Sequence, residues 1–219
     1  MGMPFSPGAF NQFLGRSGQI GQQYDWYQSD ACPCRDPFSG SAKPDCPLCL
    51  GRGVIYPAVP VRGVAALAGQ RAQKDWAQFG QYEVGDLVLT VPQEATIYGM
   101  GQWDRVTALN TQQVFSQVLV AGSPLEKLWT SVLSLTKVFW LSLDGTTIIS
   151  GDLPVLNPDG SLDWSESGAA PEAGTQYTIT GVKMLDYYCW GMYPSNRNFQ
   201  QGLQLPRKVI LRDWDLFSR

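Results

Sequence analysis

Four of the five cysteines in this 219-residue chain fall within eighteen positions, as Cys32-Pro-Cys34, eleven intervening residues, and Cys46-Pro-Leu-Cys49-Leu-Gly51-Arg-Gly53. Two close thiolate pairs, each on a short turn, can converge on one tetrahedral Zn²⁺ with Zn–S distances of about 2.3 Å, and four sulfurs leave no coordination position for substrate. The spacing therefore predicts a structural zinc knuckle over residues 31–53, with Cys32, Cys34, Cys46 and Cys49 as ligands. Pro33 and Pro47 stiffen the turns, and Gly51 and Gly53 let the backbone pass close to the metal. Paired disulfides are the alternative. A Cys32–Cys34 bridge would close a strained ring, so an oxidised form would have to join one turn to the other. In a reducing compartment a tight four-cysteine cluster is more often metal-binding. A thioredoxin-like use of Cys46-Pro-Leu-Cys49 would need a βαβ context that the flanks lack, and it would leave Cys32 and Cys34 unexplained. Cys189, between Tyr188 and Trp190, reads as a small buried apolar residue.

The chain contains no histidine. That removes Ser-His-Asp and Cys-His nucleophilic pairs, His-ligated catalytic zinc and imidazole proton shuttles from its repertoire. Charged residues make up only 16% of the sequence, below the roughly 25% of average soluble domains, which suits a surface partly covered by partners. The net charge of −3 lacks the footprint of a protein that grips nucleic acid through many phosphates. No apolar run is long enough for a membrane helix, and residues 1–24 lack the pattern of a secretory signal, so a soluble protein made in the cytosol is expected, with no membrane partner.

The rest reads as mainly β. Phe10, Phe13 and Leu14 at i, i+3, i+4 predict a short helix near residues 8–16, followed by an extended piece through Tyr24, Trp26 and Tyr27. Together they form an N-terminal arm over residues 1–30 that must fold back on the body or lie on a neighbour. Residues 54–219 carry the β body. Leu87-Val-Leu-Thr-Val91 is a buried strand limited by Pro92. Residues 114–120 and 132–143 supply further strands, the second ending at the Asp144-Gly145 hairpin signal. Asn157-Pro-Asp159-Gly160 is another tight turn, and strands follow at Tyr177, Ile179, 187–190 and 205–211. Turn signals every 8–15 residues without a helical period predict an antiparallel β-barrel or sandwich. For residues 65–78, Ala and Gln content favours helix and the flanking β pattern favours strand, and both stay open.

The remaining constellations have simple readings. Asp144, Asp152, Asp159, Asp163, Glu166 and Glu172 lie in turn contexts, although carboxylates of this density can also form a glycosidase pair or bind calcium. Asn157, Asp159, Ser161 and Asp163 alternate like an EF-hand loop, yet Gly160 falls at the fourth position rather than the sixth. The eight Trp, nine Tyr and nine Phe suit a β core or a protein interface, with a sugar-stacking platform as the alternative. Arg197, Arg207, Lys208, Arg212 and Arg219, interspersed with Asp213 and Asp215, suit salt bridges to a neighbour.

The Cys-x-x-Cys-x-Gly-x-Gly segment resembles the zinc repeats of Hsp40-type chaperones, which use several copies where this chain has one. A broader set of landmarks is similar to a family of structural proteins from the head-to-tail interface of tailed bacteriophages. These are Trp26 ahead of Ala31-Cys-Pro-Cys34, the second cysteine pair with Gly51 and Gly53, Val84-Gly-Asp-Leu-Val-Leu-Thr-Val-Pro92, Asp104-Arg-Val-Thr107, Gly174-Thr-Gln-Tyr177 and Leu205-Pro-Arg-Lys-Val-Ile-Leu-Arg-Asp-Trp-Asp-Leu-Phe217. The likeness runs over residues 10–217, and the order of the pieces carries it. It implies a non-enzymatic virion protein of the neck, assembled in the host cytoplasm. It further implies a homo-oligomeric ring, on the order of six or twelve copies, around the DNA channel between portal or adaptor and tail-side proteins. DNA would pass through the lumen without specific contact. A carbohydrate- or receptor-binding tail module is the alternative, and a carboxylate-only lytic enzyme the more distant one.

Overall fold

The computed structural model describes residues 6–16, 20–49, 51–67, 70–78, 80, 82–193, 199–200 and 203–217. In chain order, helix α1 (Pro7–Gly15) is followed by strands β1 (Gly21–Tyr27), β2 (Asp30–Ala31), β3 (Val54–Ile55) and β4 (Val61–Leu67). Helix α2 (Gln70–Ala77) leads to β5 (Leu87–Val91), β6 (Arg105–Val120), β7 (Val132–Leu141) and β8 (Ile148–Gly151). The short β9 (Val155–Leu156) and β10 (Leu162–Asp163) precede β11 (Gln176–Met192), β12 (Phe199–Gln200), β13 (Leu203–Gln204) and β14 (Arg207–Asp213). A 3₁₀ turn, Trp214–Leu216, ends the described chain. The residues form two compact units, one from the segments up to Asn110 and from Asp186 onward, the other from Thr111–Leu185.

The first unit is a closed antiparallel barrel of six strands in the order β14-β5-β4-β1-β6-β11, with a β14–β11 ladder completing the circle. Of the two expected architectures, barrel and sandwich, the chain adopts the barrel. The Leu87–Val91 strand falls where its continuous apolar run places it, and it is a stave with two covered faces. Val88 lies opposite Ile210 in the β5–β14 ladder. These two pack against Trp76, which α2 lays over the wall. Leu89, Val91, Val209, Leu211, Tyr24 and Val106 are fully or nearly fully buried.

The N-terminal arm is part of this barrel. β1 pairs with β4 on one side and with Arg105–Ala108 of β6 on the other, so the aromatic segment folds back as a stave. Its alternation is incomplete because Tyr24 and Asp25 are both buried in sequence. In α1 the apolar stripe is used only partly: Leu14 is buried, while Phe10 and Phe13 stay more than a third exposed. The open segment at residues 65–78 divides, with Ala65 and Ala66 inside strand β4 and the polar Gln70–Ala77 run forming α2.

Of the basic residues near the C-terminus, Arg207, Lys208 and Arg212 have partners within the chain, while Arg197 and Arg219 lie outside the described residues. Arg212 donates Nε and a terminal nitrogen to the two oxygens of Asp86 at 3.0 and 3.1 Å. Trp76 Nε1 and the Glu83 backbone N–H donate to the same carboxylate. Arg212 also lies 4.2 Å over the Trp190 ring. Arg207 donates to the Tyr98 carbonyl at 2.7 Å, and Lys208 sits over the Tyr193 ring. Burying this pair satisfies both charges, which an exposed pair would not require.

The second unit is a four-stranded stretch of sheet in the order β6-β11-β7-β8. Its core gathers Leu119, Leu128, Val138, Tyr177 and Ile179, with Trp140 and Trp164 packed against them. Glu126 organises one end by accepting from Trp164 Nε1 at 2.9 Å, the Tyr177 hydroxyl at 2.7 Å and the Gly122 N–H at 2.7 Å. The body expected as one domain over residues 54–219 is thus divided between two units, and the barrel also takes residues from before position 54.

Four of the six carboxylates weighed for catalysis or calcium, Asp144, Asp152, Asp159 and Asp163, are engaged in turns. Asp144 accepts from Ser142, from the Thr146 hydroxyl and from the Thr146 N–H. Asp159 accepts from Ser161, Asp163 from the Ser165 N–H, and Asp152 from the Ala169 N–H. These hydroxyls and amides hold the Asp144 and Asp159 carboxyls at about 2, well below the usual range.

Candidate metal centre

The knuckle is a long loop whose mouth is a two-residue ladder, Asp30 opposite Ile55 and Ala31 opposite Val54. Directly inside it, the Cys32 N–H donates to the Gly53 carbonyl at 2.9 Å. Each cysteine pair then sits on a tight turn: the Arg35 N–H closes onto the Cys32 carbonyl, and the Arg52 N–H onto the Cys49 carbonyl, both at 3.0 Å. Gly51 and Gly53 adopt positive φ of 81° and 77°. A Cβ at Gly51 would also stand 3.2 Å from the Pro44 carbonyl oxygen, so both the conformation and the space favour glycine there.

These turns bring all four expected ligands together. The Sγ atoms of Cys32, Cys34, Cys46 and Cys49 lie within 4.8 Å of one another. Cys32 and Cys46 sulfurs are 3.8 Å apart, and those of Cys34 and Cys49 are 3.4 Å apart. Four sulfurs held about 2.3 Å from one ion at tetrahedral angles are about 3.8 Å from each other, so the observed spacing suits a shared ion. None of the cysteines is bonded to another. Cys32, Cys46 and Cys49 are buried, Cys34 is partly exposed, and Ala42 and Ile55 pack against the cluster.

The electrostatics differ between the thiols. Backbone N–H groups of Cys49 and Leu48 point at the Cys46 sulfur and hold it at about 6, below the ordinary thiol range. At Cys34 the Lys43 N–H acts in the same direction, but burial and the three neighbouring sulfurs outweigh it and push this thiol up to about 12. Four sulfurs this close cannot all carry charge without a cation among them, and a metal ion supplies one. Cys189 behaves differently: it is fully buried in the barrel, and burial pushes its thiol up to about 12.

The knuckle is anchored to the barrel at both exits. On the entry side, Asp104 is 3% exposed and accepts four hydrogen bonds, two on each oxygen. Ser29 contributes its N–H at 2.8 Å and its hydroxyl at 2.9 Å, while Trp26 Nε1 and the Gly101 N–H each donate at 2.7 Å. On the exit side the Tyr56 hydroxyl donates to the Trp103 carbonyl at 2.8 Å. The guanidinium of Arg52, in the knuckle, lies 5.0 Å over the Trp214 ring, with that of Arg105 at 4.8 Å. Trp214 in turn stacks on Phe217, which packs on Tyr188 and Trp103. In sequence Asp104 was a landmark of order only, and Trp103 was not singled out. Their anchoring roles depend on partners far along the chain, with Ser29 75 residues from Asp104.

In comparisons with known proteins, no family model and no curated protein matches this chain.

Proposed function

We propose that this chain is an architectural protein in which Cys32, Cys34, Cys46 and Cys49 hold one structural zinc ion, and that it serves as a ring-forming component of the neck of a tailed bacteriophage virion. The observation that carries the architectural reading is the four-sulfur cluster, whose members converge at tetrahedral spacing and would fill the coordination sphere of one ion. When bound, the ion supplies the positive charge that lets four adjacent thiolates coexist. The chain's own residues do the rest: Gly51 and Gly53 shape the second turn, and Ala42 and Ile55 shield the sulfurs. Asp104 and Trp214 join the knuckle to the barrel.

The order of landmarks from Trp26 to Phe217 supports the neck assignment, together with a rigid barrel body, sparse surface charge and carboxylates engaged in turns. Neighbours in the virion would be a portal or adaptor ring on one side and tail proteins on the other, with DNA passing through the lumen. Electron microscopy of the purified protein tests this, with particles of rotational symmetry and a central hole as the expected result. A monomer at all concentrations that binds glycans would overturn it in favour of a tail receptor-binding module.

A further inference from the structure

The sheet of the second unit has two edges. Residues 112–120 of β6 carry none of the devices that usually block strand pairing, while β8 is only four residues long and is met at its end by another segment, where the Asp152 N–H donates to the Ala169 carbonyl at 2.9 Å. Residues 112–120 of β6 lie beyond the β1 ladder, which ends at Ala108. Among the described residues no strand pairs with their outer side. This stretch, Gln-Gln-Val-Phe-Ser-Gln-Val-Leu-Val, contains no charge, no proline and no glycine. The opposite edge, β8, is Ile-Ile-Ser-Gly and is equally uncharged. Exposed edges of soluble proteins are normally blunted by lysine, proline, bulges or a covering segment. Here the side chains beside the edges are apolar and open to solvent, with Val114 76%, Val118 62% and Ile148 68% exposed.

Strand direction suits a second copy as the occupant. The Cys189 N–H donates to the Asp104 carbonyl, and the Ala121 N–H donates to the Thr175 carbonyl, so β6 and β11 are antiparallel. β11 with β7, and β7 with β8, are antiparallel as well. β8 therefore runs opposite to β6, and a second copy placed alongside by simple repetition brings its β8 antiparallel onto β6. The same sheet presents both halves of a ladder, which a surface evolved for a foreign peptide would not require. We propose that copies of this chain assemble head to tail by pairing the 112–120 edge of β6 with the β8 edge of the next copy. Such a contact is heterologous, uses different surfaces on the two partners, and closes into a ring when the rotation permits. This deepens the ring reading by naming the subunit interface.

The test uses the full-length protein and two lysine variants at exposed edge positions, V118K and I148K, with native mass spectrometry as readout and circular dichroism to verify folding. The wild type is expected as a closed oligomer and each folded variant as a monomer. An equimolar mixture should yield a dimer and nothing larger, because the intact β6 edge of I148K can pair once with the intact β8 edge of V118K. If I148K assembles like the wild type while V118K stays monomeric, two β6 edges meet symmetrically and the head-to-tail pairing is overturned. If both variants still form the wild-type ring, the edges are not the interface although the ring reading survives. A wild type that remains monomeric overturns both.

Discussion

The knuckle and the barrel hold the same chain by different means. Six strands closed on themselves and an interior of Leu, Val, Ile and Tyr side chains keep the barrel folded. The knuckle has one two-residue ladder, several reverse turns and a core made chiefly of cysteine. Three buried sulfurs with one alanine and one isoleucine remove little apolar surface from water, so hydrophobic burial cannot order this long loop by itself. The contrast teaches that the barrel's stability is a property of its sequence under ordinary conditions. With an ion bound as proposed, the knuckle's order would depend on metal, protons and redox state.

The largest effect that separates the two regions is loss of a ligand. Cys46→Ser, or a strong chelator, should abolish metal binding, which is worth on the order of 10 kcal/mol in small zinc modules. Amides in residues 31–53 should then exchange rapidly while those of β5 and β14 stay protected. Simultaneous loss of protection in the barrel would show that the regions are not separable. Next comes a change confined to the barrel. Asp86→Ala strands the buried Arg212 guanidinium and should cost about 3–5 kcal/mol in chemical denaturation, with metal content unchanged.

Asp104→Asn sharpens the comparison because the residue belongs to both regions. It replaces a carboxylate that satisfies four donors and should cost about 3 kcal/mol, with a changed Trp26 fluorescence reporting the released indole. The smallest effect is expected at the hairpin tips of the second unit. The Asp144 and Asp159 carboxyls titrate at about 2 in the folded chain, below their ordinary value. Their contribution is therefore complete above about pH 4 and is lost as pH falls through about 2. Carboxyl NMR titration should give low midpoints at both, and an ordinary midpoint at either would remove its turn hydrogen bonds from the description.

The clustering of the four cysteines was legible because the chemistry is local: eighteen residues contain the whole set, and cysteine has few other roles at that spacing. The Leu87–Val91 strand and the turns at Asp144 and Asp159 were equally plain, since continuous apolar runs and Asp-Gly signals act over short distances. Closure of the barrel was not, because β14 meets β5 and β11 through pairings set by the whole circuit. The 1–30 arm hid a stave because its aromatic residues alternate poorly, and residues 65–78 hid a boundary because alanine serves both strand and helix. In sequence Arg212 read as a salt-bridge partner for a neighbour, and Asp86 stood only within the Val84–Pro92 landmark. Only a partner 126 residues away makes them a buried pair.

The most direct test of the central claim is the native mass of the purified, reduced protein together with elemental analysis. We expect one zinc per chain, retained through gel filtration and absent from Cys46→Ser. A metal-free mass with all four thiols open to alkylation would contradict it.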